Sequence, residues 1–466
     1  MQGQTLRSPP VASGNPRRLL SSTLFWRSSG EYRIIYVACR LFQESKHPLQ
    51  GNDDVTSRPD AGLTRRQWAV LGITMLFWLF DGYETYALLL TIGPSLHQLL
   101  PANDLSTLPR VAAYLISITL FGWAVGGVIG GVIGDRIGRR RTMIGAVIVY
   151  SVFTGTSALA PTWQVLALTR FLTGVGIGAE WGVGTSLLQE MWPERLRTKG
   201  AGILQAAFSG GFVVASLLWI VIGGSFGGSW RWMYAVGIVP AVFVVLLGRN
   251  IPESERWTKV SHSLQTISAT LRAYARNLIV AIIVSISITL GFWAISSWVP
   301  TYVATLAPDP KSAVYYAGMA GLLYAIGEIF GCIGFGLLAE TWGRRGTLVF
   351  YLAGSIVITP IVFMLVRDAS IVVALQLVNG FLTGGLYGWF AVHPPELFPT
   401  SIRSSAISLI FNSARFLAMF GPIVASSLIA FFGGYGPAAT TLASVFAVGI
   451  VAVLFLPETK RKPLPA

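Results

Sequence analysis

The chain has 466 residues, of which 53% are hydrophobic and only 12% charged, with a formal net charge of +14. Ordinary soluble domains carry about 25% charged residues, so this composition excludes a disordered chain and argues against a soluble multidomain enzyme. At roughly 20 residues per bilayer crossing, the length accommodates about twelve apolar helices joined by short loops.

Residues 1–64 come first and differ from the rest. Arg17, Arg18, Arg27, Arg33 and Arg40 interrupt any apolar core, so the segment is not a secretory signal, and Glu31, Glu44, Asp53 and Asp54 argue against a transit peptide. It reads as a disordered cytoplasmic tail, with a true start near Val55 or Leu63 as the competing expectation. Twelve apolar segments follow, near 67–97, 111–134, 142–160, 163–189, 199–222, 231–248, 277–303, 313–339, 347–366, 369–394, 402–431 and 437–456. They lack the period-two alternation of a membrane β-barrel. The expected organisation is a six-helix bundle over 65–249, a cytoplasmic linker over 250–276, a second six-helix bundle over 277–458, and a short tail over 459–466. The two cysteines, Cys39 and Cys332, form neither a disulfide framework nor a metal site.

The basic residues sort by loop. Twenty of the 34 Lys and Arg fall in loops on the side shared by both termini, and four (Arg110, Arg231, Lys311, Arg367) on the other. The positive-inside rule then places both termini in the cytoplasm. The charge is therefore a topology signal. Nucleic-acid binding, which needs basic residues on one folded face, is set aside.

Four patterns recur at nearly one offset. Gly131-xxx-Asp135-xx-Gly138-Arg139-Arg140 returns as Gly336-xxx-Glu340-xx-Gly343-Arg344-Arg345, 205 residues on. Phe171-Leu-Thr-Gly174 returns as Phe381-Leu-Thr-Gly384, Glu190-xx-Pro193-xxx-Arg197 as Glu396-xx-Pro399-xxx-Arg403, and Pro252-Glu253 as Pro457-Glu458. Four matches in one order predict two homologous halves. Because each half has an even number of spans, both run through the membrane in the same sense. The fold class expected is an all-α membrane protein of twelve transmembrane helices in two parallel six-helix repeats.

With these motifs the chain resembles the major facilitator superfamily over about residues 65–460. Asp81-Gly82-Tyr83-Glu84 resembles the Asp-Gly-x-Asp pattern of aromatic-acid/proton symporters, and Gly178-Ala179-Glu180-Trp181 the Gly-Glu-Trp segment of sialate- and lactate-type symporters. Glu84 and Ala179 depart from those patterns. The resemblance implies a secondary active transporter of a small organic acid with protons, not an enzyme. It implies an integral membrane protein, in a bacterial inner membrane, acting as a monomer with no cofactor. A sugar or polyol carrier of the same fold is the alternative, suggested by Pro252-Glu253-Ser254 and Pro457-Glu458-Thr459. The seventh segment, however, lacks the glutamines of those carriers.

Charges inside a bilayer are costly and so point to function. Asp81, Glu84, Arg170, Glu180, Glu328 and Arg415 all fall inside spans. Asp81 and Glu84 share a helical face, and with Glu180 they form the expected proton-coupling set. The competing reading is that Asp81 and Glu84 are structural, each paired with a base or a helix end, and that Glu180 pairs at a tight helix contact. Arg415, whose planar fork suits a carboxylate, heads the expected substrate set with Asn412, Tyr83, Trp293 and Tyr387. The competing reading is a permanent bridge from Arg415 to Glu328 or Asp81. In the family resembled, Arg170 is a structural and coupling charge, and Glu328 is grouped with it. Glycines at i+4 spacing (Gly122, Gly126, Gly130, Gly134; Gly174, Gly178, Gly182) predict close helix contacts. Gly131, Asp135, Gly138, Arg139, Glu340, Gly343 and Arg344 are expected to form a cytoplasmic gate of charge pairs. No nucleophile–base or metal constellation stands out around His47, His97, His262 or His393.

Overall fold

The computed structural model describes residues 63–225, 229–248, 251–260 and 263–465. Apart from its last two residues, the expected N-terminal tail lies outside them. The described residues are nearly all helical and pass back and forth twelve times. The spans are Arg65–Leu99, Leu108–Ile137, Arg139–Ser157, Trp163–Met191, Arg197–Ser225 and the pair Trp230–Val236 and Val239–Leu247 in the first half. The second half holds Ala275–Thr305, Pro310–Trp342, Arg344–Pro360, a tenth span in pieces from Ala369 to Leu397, an eleventh from Arg403 to Phe431, and a twelfth from Tyr435 to Val453. Seven of these helices are long and apolar enough to cross a membrane. The other five carry charges (Asp81 and Glu84; Arg139 to Arg141; Arg170 and Glu180) or are broken into short helices.

Local chemistry sets the ends. Thr64 and Gln67 form a reciprocal cap on the first span, the threonine oxygen accepting from Gln67 N at 3.3 Å and the Gln67 amide oxygen accepting from Thr64 N at 2.8 Å. Gly138 and Gly343, the last motif glycines in the two halves, have φ of +107° and +86°. That backbone favours glycine and turns the chain sharply between spans two and three, and between eight and nine. Breaks have local causes too. Span nine ends in a π-helical turn after Pro360, and Gly380 to Gly384 form another π-helical turn in span ten.

Glycine rows draw the helices together. A Cβ on Gly122 or Gly126 would lie within about 2 Å of the carbonyl oxygens of Phe171 or Val175 in span four. Gly327 and Gly331, their counterparts 205 residues on, press on Leu377 and Phe381 of span ten in the same way. A second face of span two, Gly127 and Gly131, meets Asn412 and Ser408 of span eleven across the halves. Spans two with eleven and five with eight are the main pairs that join the halves, with spans four and eleven and spans five and ten also touching. Between them sits an aromatic core, with Trp181 of the first half stacked on Phe411 of the second at 3.7 Å.

The segments read as a linker and a C-terminal tail both carry packed residues. The linker contains the helix Leu264–Ala273, capped by Ser263 and with Ile267 buried. The segment after span twelve packs back on the bundle: Leu464 is buried, and the Arg403 guanidinium donates to the Pro465 carbonyl. Apolar spacing predicted the spans but carried no signal for either.

Candidate functional site

One end of the bundle is sealed and the other is open. The sealed end carries the basic loops. There, the Asp135 carboxylate of span two accepts from Ser404 N at 3.1 Å and Ser405 N at 2.7 Å. A first-half acid thus caps the first turn of a second-half helix, where carboxylates are favoured. Arg139 pairs with Asp135 and Glu190, each at 3.0 Å, and donates across the halves to the Thr400 carbonyl at 2.8 Å. Arg403 reaches back to Glu190 at 2.8 Å, so Glu190 is shared by one arginine from each half. Gln189 donates to the Ala391 carbonyl, and the Thr198 hydroxyl to Glu340.

The repeat is followed locally and broken globally. Glu253 accepts from Arg139 N and Arg140 N, and Glu458 from Arg344 N and Arg345 N, so each half caps its third helix with the acid after its sixth. Burial works against the Glu458 carboxylate, but the N–H donors of Arg344, Arg345 and Lys460 outweigh it and hold the group below the usual range. Glu396, in contrast with Glu190, is hydrogen-bonded within its own half, and Arg197 of the first half, the counterpart of Arg403, acts on it through charge alone. Arg344 holds it by two hydrogen bonds, at 2.8 and 2.6 Å. Of the residues expected at the gate, Asp135 and Arg139 meet in one cluster with Glu190, Arg403 and Glu253, Arg344 stands in a second with Glu396 and Glu458, and Glu340 accepts from Thr198. Their pattern was visible in the repeat. Their roles were not, because the partners lie more than fifty residues away.

At the other end a cavity of about 430 Å³ opens between the halves. Thr85, Thr119 and Trp123 line it from the first half, and Trp293, Trp298 and Leu417 from the second. These residues lie late in spans one, seven and eleven and early in span two, which places the cavity away from the sealed end. Trp123 and Trp293 stand at its inner limit.

Behind that floor lies Arg415, 2% exposed. Its guanidinium is held between aromatic faces, 4.3 Å from the Trp123 ring and 3.9 Å from the Phe411 ring, and Nη1 donates to the Phe411 carbonyl at 2.6 Å. Among the described residues it makes no ion pair, and its Nε has no hydrogen-bond partner. The bridge to Glu328 or Asp81 is absent. Tyr387 Oη, Trp293 Nε1, Thr289 Oγ1 and Trp123 Nε1 are also buried without partners. Unpartnered buried groups also occur elsewhere in the bundle, as at Tyr150 and Ser151, but Tyr387, Thr289 and Trp293 lie within reach of one another. Thr289 and Trp123 were missed in the sequence, since neither type signals a site by itself.

Two residues of the expected substrate set face elsewhere. Tyr83 donates its hydroxyl to the Met233 carbonyl at 2.6 Å inside the first half, away from the cavity. Asn412 donates to the Ser408 carbonyl and packs on Gly127 at the seam between the halves. A helix-face argument could not separate these faces, because every face of a buried span touches protein.

The carboxyl set divides into two pairs. Glu84 meets Arg170 at 3.5 Å, and Arg170 also donates to Thr154 at 3.3 Å and lies over the Tyr234 ring. Asp81 instead lies beside Glu180, and among the described residues neither carboxyl makes an ion pair. Two such groups can hydrogen-bond to each other only when one carries a proton.

A family model described as Major Facilitator Superfamily matches residues 70–369. The chain is similar to a cis,cis-muconate transport protein of Acinetobacter baylyi, 29% identical over 83% of this chain and 93% of that one. It is also similar to a 4-hydroxybenzoate transporter of Pseudomonas putida, 25% identical over 84% and 93%. Among solved structures it resembles the proton:xylose symporter XylE bound to 6-bromo-6-deoxy-D-glucose, with a TM-score of 0.69 and 19% identity over 86% of this chain and 98% of that one.

Proposed function

Because this chain belongs to the Major Facilitator Superfamily and is an integral membrane transporter rather than an enzyme, we propose that it moves a small organic acid together with protons by alternating access. The observation that carries the reading is Arg415: a buried cation without a carboxylate, backed by orphaned donors, directly behind the floor of the open cavity. A substrate carboxylate supplies what Arg415 lacks, by two parallel hydrogen bonds. A sugar would leave that charge unmatched. The names of the relatives, which carry muconate and 4-hydroxybenzoate, point the same way.

Protons load on the Asp81–Glu180 pair and on Glu84, whose hold on Arg170 weakens once it is neutral. Both ligands bias one equilibrium, between the arrangement described here and one open at the sealed end, and that shared bias is the coupling. By the positive-inside rule the sealed end faces the cytoplasm, so this arrangement faces outward. The relatives are bacterial, so the membrane is the inner one, and the protein acts as a monomer. The test is uptake of labelled carboxylates into proteoliposomes with an imposed pH gradient. Accumulation driven by an acidic exterior supports symport; uptake indifferent to the gradient overturns it.

A further inference from the structure

The repeat sets up a second pole. Trp123 of span two corresponds to Glu328 of span eight, 205 residues on, and Ser209 of span five to Arg415 of span eleven, 206 on. Arg415 lies on Trp123, and Glu328 lies beside Ser209. The two helix pairs that join the halves therefore carry, at equivalent positions across the pseudo-two-fold axis, a cation and an acid. The two charges belong to the same half yet do not bridge. Among the described residues Glu328, 4% exposed, has no ion pair. Its stem packs on Gly384, and its surroundings are hydroxyls rather than bases: Ser209 and Tyr86 from the first half, Tyr324 and Tyr387 from the second. Tyr387 neighbours both Arg415 and Glu328, and its own hydroxyl is an orphan.

We infer that Glu328 is a substrate-binding residue, accepting a hydrogen bond from a hydroxyl or amino group at the end of the substrate away from the carboxylate. The preferred cargo is then a hydroxy- or amino-substituted carboxylic acid. This deepens the organic-acid reading and rests on it. The chemistry follows from what each pole lacks. Arg415 lacks an anion, whereas Glu328 has hydroxyls around it and, among the described residues, no ion pair, so its carboxylate keeps lone pairs free for a further donor. A substrate with both groups on one frame would lie across the axis, touching both inter-half helix pairs through one half's side chains. An unsubstituted acid would leave Glu328 only its own hydroxyl neighbours, and a dicarboxylate would bring a second negative charge against it.

The test is proteoliposome uptake of matched acids, benzoate against 3- and 4-hydroxybenzoate and propanoate against lactate, by the full chain and by Glu328→Gln and Glu328→Leu. In the unaltered protein the hydroxylated member of at least one set is expected to be favoured about 10- to 100-fold in kcat/KM, the range of a hydrogen bond to a charged group. Glu328→Gln, which keeps a neutral acceptor, should reduce that preference several-fold, and Glu328→Leu should abolish it, the readout in each variant being the ratio of the two members' kcat/KM rather than either absolute rate. Equal use of both members by the unaltered protein overturns the inference alone. So does a fall in both rates at constant ratio in the variants, which would make Glu328 a coupling or packing residue. If no carboxylate is carried at all, the organic-acid reading falls and this inference with it. Solubility and helical content of each variant in detergent exclude simple misfolding, with Glu328→Gln as the conservative arm.

Discussion

Replacing Asp135 by Asn should open the sealed end without unfolding the bundle. Asp135 makes two hydrogen bonds across the halves, to Ser404 N and Ser405 N, and one ion pair within its own half, to Arg139. An asparagine keeps one carbonyl oxygen and presents an NH2 where the second oxygen was. One cross-half bond to a charged acceptor is lost, and the other becomes neutral. Bonds to charged groups contribute about 1.5–3 kcal/mol and neutral ones about 0.5–1.5. The arrangement sealed at this end should therefore lose about 2–4 kcal/mol relative to the arrangement open there. At about 1.4 kcal/mol per tenfold, the ratio of the two falls by about 30- to 1,000-fold. Ser186→Cys in a Cys39→Ser background is a suitable reporter. Ser186 is buried in the seal with its hydroxyl 3.1 Å from that of Ser404, and the native Cys332 is buried. Labelling by an impermeant maleimide from the basic-loop side should rise at least tenfold on adding Asp135→Asn. A Leu417→Cys reporter lining the cavity should label more slowly from the opposite side. Unchanged rates at both reporters in well-folded protein would refute the cross-half role and leave Asp135 a local partner of Arg139.

Arg415→Lys should raise the KM for a carboxylate substrate about tenfold or more, because an ammonium cannot form the paired fork; an unchanged KM in the uptake assay would remove Arg415 from the substrate site. Asp81→Asn should abolish accumulation driven by a pH gradient while substrate exchange at equal pH persists, and retained accumulation would clear Asp81 of proton coupling. Arg170→Leu strands Glu84 in the first half and should cost about 3–5 kcal/mol, seen as a lower unfolding temperature that Glu84→Gln in the same chain partly restores. Gly126→Ala should prevent folding, since its Cβ would meet the Val175 carbonyl at 2.0 Å. Gly127→Ala, whose Cβ would meet first the Asn412 side chain on the other half rather than backbone, should fold but label faster at the Ser186→Cys reporter.

The spans, the two-half repeat and the buried charges were legible in the sequence because each has a short-range signature. Apolar runs mark membrane crossings, and a fixed offset marks duplication. What could not be read was direction. Tyr83 and Glu84 are neighbours, yet one donates to Met233 inside the half and the other holds Arg170. Asn412 and Arg415 are almost one turn apart, yet one packs against a glycine at the seam and the other lies behind the cavity floor. Apolar periodicity cannot orient such residues, since a helix surrounded by other helices has no polar side. Pairing was hidden for a different reason. Glu190 is shared by Arg139 and Arg403, 51 and 213 residues away, and only the packed halves bring them together.

The repeat also shows why a transporter of this kind needs its departures from symmetry. Identical charges at equivalent places would bind equally to both halves and favour neither arrangement. Here Glu253 and Glu458 keep the symmetry, capping a helix within each half, and so belong to parts that move as rigid bodies. Glu190 and Glu396 depart from it: one forms ion pairs on both sides of the seam, while the other pairs with Arg344 and meets Arg197 of the first half through charge alone. In the membrane interior the break is complete, with Glu328 standing where the first half has Trp123 and Arg415 where it has Ser209. A substrate that satisfies both second-half charges pulls on two helix pairs at once. Each of those pairs is also a seam, so occupancy at the centre and closure at the ends draw on the same contacts. That sharing allows a ligand of modest size to bias the motion of two six-helix bodies.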